Sequence, residues 1–185
     1  FSSDFENLKK NRIQIASRLI SLKNLGNISY DSDGFPVGYS KESQAVLIPA
    51  FLSAYTGIDV SKISLTPITS NPKLNWTLQY DGLEKLFDQV FSRVSLQHGY
   101  RSNFTINNFN YNLNFTQNGI DNSGNYFDKI IFSNINLVEQ FNPLIRLDFE
   151  LKNSLRIIFD VIKDRAVSLS LANNLITESW GNEYT

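Results

Sequence analysis

The sequence predicts a mainly-β chain of antiparallel strands preceded by two α-helices, and three observations carry that reading. The first is strict alternation in residues 141–172, FNPLIRLDFELKNSLRIIFDVIKDRAVSLSLA. Ile145, Leu147, Phe149 and Leu151 fall on one face, and Arg146, Asp148, Glu150 and Lys152 on the other. A strand requires that period of two, and a helix would scramble it. Lys152-Asn153-Ser154 interrupts with turn-type residues, after which Leu155, Ile157, Phe159 and Val161, then Val167, Leu169 and Leu171, resume the apolar series. A long hairpin with Leu151 beside Leu155 is expected. The second observation is strand length: alternation persists for about 13 residues from Val94 to Ile106, against about 5 or 6 in ordinary globular sheets. The third is a change of texture near residue 74, with helical spacing before it and two-residue spacing after it.

In chain order, residues 3–24 read as an amphipathic helix, with Ser3 or Asp4 able to cap it and Phe5, Leu8, Ile15 and Leu19 at helical spacing. Leu25-Gly26-Asn27 is expected to end it. Residues 28–41 hold Asp-Ser-Asp-Gly, Phe-Pro and Gly-Tyr-Ser, a loop dense in turn formers. A second helix is expected over about 41–55, with Pro49 kinking or restarting it. Residues 57–73, with Pro67 and Pro72, form a connector. Trp76, Leu78 and Tyr80 then mark a short strand ending at Asp81-Gly82, and residues 83–91 a small apolar connector with one helical turn. Asn107-Asn108 shifts the alternation by one before Phe109, Tyr111, Leu113 and Phe115, the signature of a β-bulge or a tight turn. Residues 116–128, QNGIDNSGNYFDK, read as a flexible loop, and a strand is expected from Ile130 into the hairpin. No internal repeat stands out. The division expected is a helical and loop region over 1–74 and a sheet over 75–185, with about six strands.

The chain is 185 residues long with a formal net charge of −1, so bulk electrostatics gives no reason to expect a nucleic-acid partner. No run of roughly 18 apolar residues exists, which excludes an ordinary membrane-spanning helix but leaves a transmembrane barrel open. Cysteine is absent, so there is no disulfide or thiolate site. Methionine is absent too, even at position 1, and a fragment of a longer protein is expected. Asparagine, serine and aromatic residues are abundant, as in extracellular β-proteins and outer-membrane barrels.

The only histidine is His98, set among apolar strand positions, where a packed or interfacial side chain is expected rather than a base. A metal site needs two to four converging ligands, and neither a His-x-x-x-His pair nor a cysteine pair occurs. Asp148, Glu150 and Asp160 alternate with cations and read as a solvated face. No nucleophile elbow, phosphate loop or dinucleotide fingerprint occurs. Asn-x-Ser/Thr triplets at Asn27, Asn75, Asn103 and Asn114 are expected by chance in so asparagine-rich a chain. Neither an enzyme nor a cofactor is expected.

Five blocks, in order, carry a resemblance. They are residues 38–57 (GYSKESQAVLIPAFLSAYTG), Asn75-Trp76 through Tyr80-Asp81-Gly82-Leu83, residues 97–102 (QHGYRS), residues 139–145 (EQFNPLI), and Ser168 to Leu171 through Leu175 to Glu178 and on to Thr185. Together they span nearly the whole chain, which resembles the SprA/Sov family, very large outer-membrane barrels that form the translocon of the type IX secretion system. The resemblance implies a C-terminal-region segment of such a barrel, at the cell surface of bacteria that secrete or glide by this system. Its partners would be outer-membrane lipid, secreted cargo proteins and other secretion-system subunits. About six strands would not close a barrel in lipid, which takes at least about eight, so further strands must complete it. A soluble extracellular β-sandwich, an adhesin or glycan-binding module, is the rival, since a sandwich strand also has one buried and one wet face.

On the barrel reading the lipid-facing candidates are Leu96, Tyr100, Ile145, Leu147, Phe149, Leu151, Leu155, Ile157, Phe159 and Val161. Lys163 and Arg165 interrupt that face. Lys163 lies about 33 Å past the turn at 3.3 Å per residue, or about 25 Å of height at a tilt of about 40°, the full apolar band. With Leu151 opposite Leu155, Phe141 faces Arg165, Pro143 faces Lys163 and Glu139 faces Val167. Glu139, Lys163 and Arg165 are therefore expected to form an exposed charge belt at the outer boundary, adding little energy, with both cations replaceable by leucine. With the short 152–154 turn on the periplasmic side, the strand directions place the helices outside the cell as part of a cap.

Overall fold

The structure, a computed structural model, describes residues 2–24, 27–66 and 75–185, and at Leu86 the backbone alone. The expected helix-ending Leu25-Gly26 and the connector prolines Pro67 and Pro72 lie outside the described residues. Helices α1 (Ser3–Ser21) and α2 (Gln44–Thr56) precede five strands: β1 (Trp76–Asp81), β2 (Phe91–Tyr111), β3 (Ile130–Leu151), β4 (Arg156–Ser170) and β5 (Leu175–Tyr184). A single 3₁₀ turn, Leu83–Leu86, links β1 to β2 where the sequence predicts one helical turn. The strands form one open sheet in the order β1-β2-β3-β4-β5. Among the described residues the chain is therefore mainly β with two helices, and the sheet does not close on itself.

Two compact units are distinguished. One takes in the described residues of Phe1–Asn71 together with Ile106–Asn134 and Ser170–Asn174; the other those of Pro72–Thr105 with Ile135–Leu169 and Leu175–Thr185. In the first unit, α1 buries Leu8, Ile15, Ala16, Leu19 and Ile20 and packs against α2. It is capped one residue earlier than expected, on Ser2, whose carbonyl rather than side chain receives the Phe5 and Glu6 amides. It stops at Ser21, whose hydroxyl turns back onto the Arg18 carbonyl at 2.7 Å; such back-bonding competes with the helix ladder.

Helix α2 is apolar on every side, and Val46 to Tyr55 are all buried, as a helix without a polar stripe must be. It begins at Gln44 rather than Lys41, because residues 40–43 form a turn: the Ser40 carbonyl accepts from the Ser43 amide at 3.1 Å and the Ser40 hydroxyl from the Glu42 amide, and the Ser43 carbonyl takes the first helical amides. Pro49 lies inside it without restarting it. Gly57, with φ 71°, closes it in the left-handed conformation that glycine adopts most cheaply. Gln44 ties α2 to the start of β3: its side chain donates to the Ile130 carbonyl and accepts from the Phe132 amide at 2.9 Å. The side-chain amide thus stands in for a neighbouring peptide group at that edge.

Residues 116–128, expected to be a flexible loop, are built on a turn that the chain uses twice. Asp31 accepts through Oδ1 from the amides of Asp33 and Phe35, and pairs its own amide with the Phe35 carbonyl. Asp121 does the same with Ser123 and Asn125. Gly34 and Gly124 take the fourth position with φ 84° and 79°. The two turns are joined by a parallel bridge between Gly38 and Asn125. Gly38 lies against the Tyr126 ring so closely that a Cβ would overlap it. This is a short repeat that the sequence alone does not disclose: five residues, with only Asp and Gly shared in place, give no detectable period.

Beside this clasp, burial first and the nearby Asp121 charge second push the Asp128 carboxyl up to about 6. The folded state therefore holds that proton more tightly than the unfolded chain. Its contribution to stability is complete below about pH 4 and is lost as pH rises through about 6, a penalty of about 2–3 kcal/mol at neutral pH. Asp128→Asn is expected to raise the melting temperature at pH 8 and to flatten the pH 5–8 profile. Parallel profiles for parent and variant would refute the assignment.

The sheet is a meander. Strand β2 runs unbroken from Phe91 to Tyr111, with Asn108 left-handed at φ 54°, so the phase shift at 107–108 is a bulge within one strand and not a turn between two. Among the described residues five strands result, not the expected six. The strand ends at Tyr111, short of the expected Phe115, because the Asn112 side chain accepts from the Asn114 amide and starts a turn. Strand β3 is a central strand containing Pro143, which has no amide for the ladder. At this place the His98 imidazole bonds the Leu144 carbonyl at 2.6 Å, which fixes Nδ1 as the donor. His98 thus has a structural bond. A Cβ at Gly99 would lie 2.7 Å from the Asn142 carbonyl oxygen, so Gly99→Ala is expected to cost about 1–3 kcal/mol by overpacking. A urea midpoint unchanged from the parent would refute that.

Candidate membrane-facing surface

Pairing fixes which side chains share a face. Trp76, Leu78 and Tyr80 of β1 stand opposite Tyr100, His98 and Leu96 of β2. Between β3 and β4, the Leu151 amide bonds the Leu155 carbonyl at 2.9 Å and Arg146 pairs with Asp160 across the strands at 3.5 Å, which is the expected register. Between β4 and β5, Asp160 and Thr185 exchange both backbone bonds. The β2 and β3 faces are matched by the Tyr100 and Phe141 rings, 4.9 Å apart.

All ten lipid-facing candidates fall on this face. Ile145, Leu155, Ile157 and Phe159 are exposed, and Leu96, Tyr100, Leu147, Phe149, Leu151 and Val161 are half-buried. None is fully covered, and Leu155 and Leu78 reach 54% and 61% exposure. The same series is buried at Ile135, Leu137, Val167 and Leu169. A broad exposed apolar face on a sheet is not a neutral feature, since folded proteins in water rarely leave contiguous patches of that kind.

The face carries a row of aromatic and charged groups to which each strand contributes. Trp76 stacks on Tyr100 at 4.5 Å, Tyr100 approaches Phe141, and Arg165 lies over the Trp180 ring at 4.8 Å. Glu139, Lys163 and Arg165 belong to it, but not as the exposed belt expected. Arg165 bonds Glu178 through Nε and Nη2 at 2.9 and 2.8 Å and pairs with Glu139 at 3.7 Å. Tyr100 donates to Glu139 at 2.7 Å. The side chains of Arg165, Glu139 and Glu178 are only 13%, 14% and 16% exposed. Neighbours on both flanking strands cover them, which the hairpin alone could not reveal. Lys163 lies over Trp180 at 5.1 Å.

The opposite face is polar and charged, with Leu144, Ile158 and Ile162 interspersed. Two of its carboxylates are ion-paired rather than freely solvated: Asp148 is buried and held by two bonds from Arg156, and Asp160 pairs with Arg146. Among the described residues no group of three or more His, Cys, Asp or Glu side chains is placed to hold a metal ion, and no helix is long and apolar enough to cross a membrane.

Glu178, Trp180 and Tyr184 are members of this surface that sequence reasoning misses. Strand β5, LITESWGNEY, carries no alternating apolar series, so its period is silent. The signal available was Trp180 itself, one of two tryptophans in the chain. No protein-family model and no curated protein matches the chain.

Proposed function

We propose that this chain is a segment of the wall of a large outer-membrane β-barrel that passes proteins, of the SprA/Sov kind that serves type IX secretion and gliding. One observation carries the reading: an uncovered apolar sheet face crossed, strand by strand, by the row Trp76, Tyr100, Phe141, Arg165 and Trp180. Membrane barrels have an outward apolar band ended by such girdles, because amphipathic rings and paired charges are stable at the headgroups and costly at the midplane. Strands of 21 and 22 residues in β2 and β3 exceed what a sandwich uses. The five strands make a single sheet, with no second sheet upon it among the described residues. Lipid would lie against the apolar face, while cargo proteins and other secretion subunits would meet the polar face and the loops.

Both edges of the sheet, β1 and β5, await neighbouring strands of the parent barrel, since an open edge is not tolerated in lipid. With the 152–154 turn on the periplasmic side, residues 112–129, the 171–174 turn and both helices lie outside. Label access from outside intact cells tests that placement, and periplasm-only access refutes it.

The two tryptophans make the membrane reading directly measurable. In vesicles, lipids brominated just below the headgroup should quench Trp76 and Trp180 more than lipids brominated at the chain ends. Absence of quenching, or a monodisperse monomer in plain buffer that unfolds cooperatively, would refute the proposal.

A further inference from the structure

We propose that the hollow around Asn107, Asn108, Phe109 and Asn134 binds a neutral saccharide. The hollow, about 660 Å³ and open to solvent, is lined by these four residues and Ile106. In a regular strand Asn107 and Asn108 would point to opposite faces. The left-handed Asn108 breaks the alternation, and bulges characteristically re-aim side chains. Here Asn107, Asn108 and Asn134 line one hollow with the exposed Phe109. Phe109 is exposed and meets Tyr111 edge-on at 6.5 Å, so its face is not taken up by the core.

The ligand class follows from what the surroundings hold. Between Arg101 and Asp121 the chain has no Asp, Glu, Lys, Arg or His, and Ile130 to Val138 has none either. Nothing there favours a phosphate, a polyanion or a charged peptide. A carboxamide offers donors and an acceptor together, which matches vicinal hydroxyls, and the apolar C–H face of a pyranose suits an aromatic ring. A purely apolar ligand would leave three amides unpaired at a cost. Surface phenylalanines alone would be unremarkable; the phase-shifted asparagines beside one are what select a polyol. The same chemistry is offered by a free glycan and by the sugars of a lipopolysaccharide.

The test uses the full chain in detergent and titration calorimetry with maltohexaose, mannohexaose and galactohexaose, a heparin hexasaccharide, and vesicles carrying purified lipopolysaccharide. Binding to a neutral hexasaccharide assigns a free glycan; binding only to lipopolysaccharide assigns the membrane's own sugars. In either case Phe109→Ala should weaken binding about tenfold, Asn134→Ala should weaken it less, and Phe109→Trp should preserve it. Phe115→Ala, outside the hollow, should leave it unchanged. The proposal is overturned if no probe binds, if the heparin fragment binds best, or if Phe109→Ala and Asn134→Ala bind as the parent does. It does not rest on the barrel reading: lipid quenching and sugar binding report on different residues, so each can fail alone.

Discussion

Arg165→Leu is expected to lower the stability of the folded sheet by about 3–5 kcal/mol, the cost of removing one partner from a largely buried charge cluster. Glu139 and Glu178 would be left facing each other with little water and without the guanidinium between them. Lys163→Leu should cost less, about 1 kcal/mol, the worth of a half-buried cation over a ring. Urea titration, or the temperature at which the folded band is lost on a detergent gel, separates the two. Equal effects would mean that the Arg165 cluster is solvated after all. A triple variant, Arg165→Leu with Glu139→Gln and Glu178→Leu, should recover much of the loss, because no charge is then stranded.

Phe159→Arg should cost about 2–4 kcal/mol if the apolar face lies in hydrocarbon, since Phe159 sits midway between the Leu155 end of β4 and the Arg165 row. Ile158→Arg, one residue along and on the opposite face, should cost well under half of that. In water the two substitutions would differ little, both side chains being exposed. Comparing folding yields into lipid vesicles therefore reports which solvent the face meets. Indifference at position 159 would remove the membrane from the account.

The β3–β4 hairpin is fully legible in the sequence, because every position from Ile145 to Leu151 and from Leu155 to Val161 declares its face, and the turn residues declare the register. The Glu139–Arg165 pair follows from that register by arithmetic alone. What does not follow is its burial, which depends on Tyr100 and on Glu178, contributed by strands on either side of the hairpin. Strand β5 is silent because the positions it turns to the apolar face, such as Glu178 and Trp180, answer to Arg165 rather than to a hydrophobic pattern. Sequence alone starts α2 too early because Lys41 and Glu42 suit a helix by propensity, while the Ser40 carbonyl and hydroxyl hold them in a turn through the Ser43 and Glu42 amides. The twin aspartate turns are invisible for a different reason: their hydrogen bonds run to backbone amides, which any residue other than proline supplies.

The meander order has a kinetic consequence. Every strand pairs with its neighbour in sequence, and closure entropy grows with loop length, from the turn at 152–154 to the longer loop at 112–129 between β2 and β3. Assembly by successive hairpins should nucleate at the three-residue turn between Leu151 and Leu155, the shortest of these connections. The clasp between Gly38 and Asn125 is the exception, a contact across most of a hundred residues. It should form last, after the local ladders have closed, and its loss should speed unfolding while leaving the refolding rate almost unchanged.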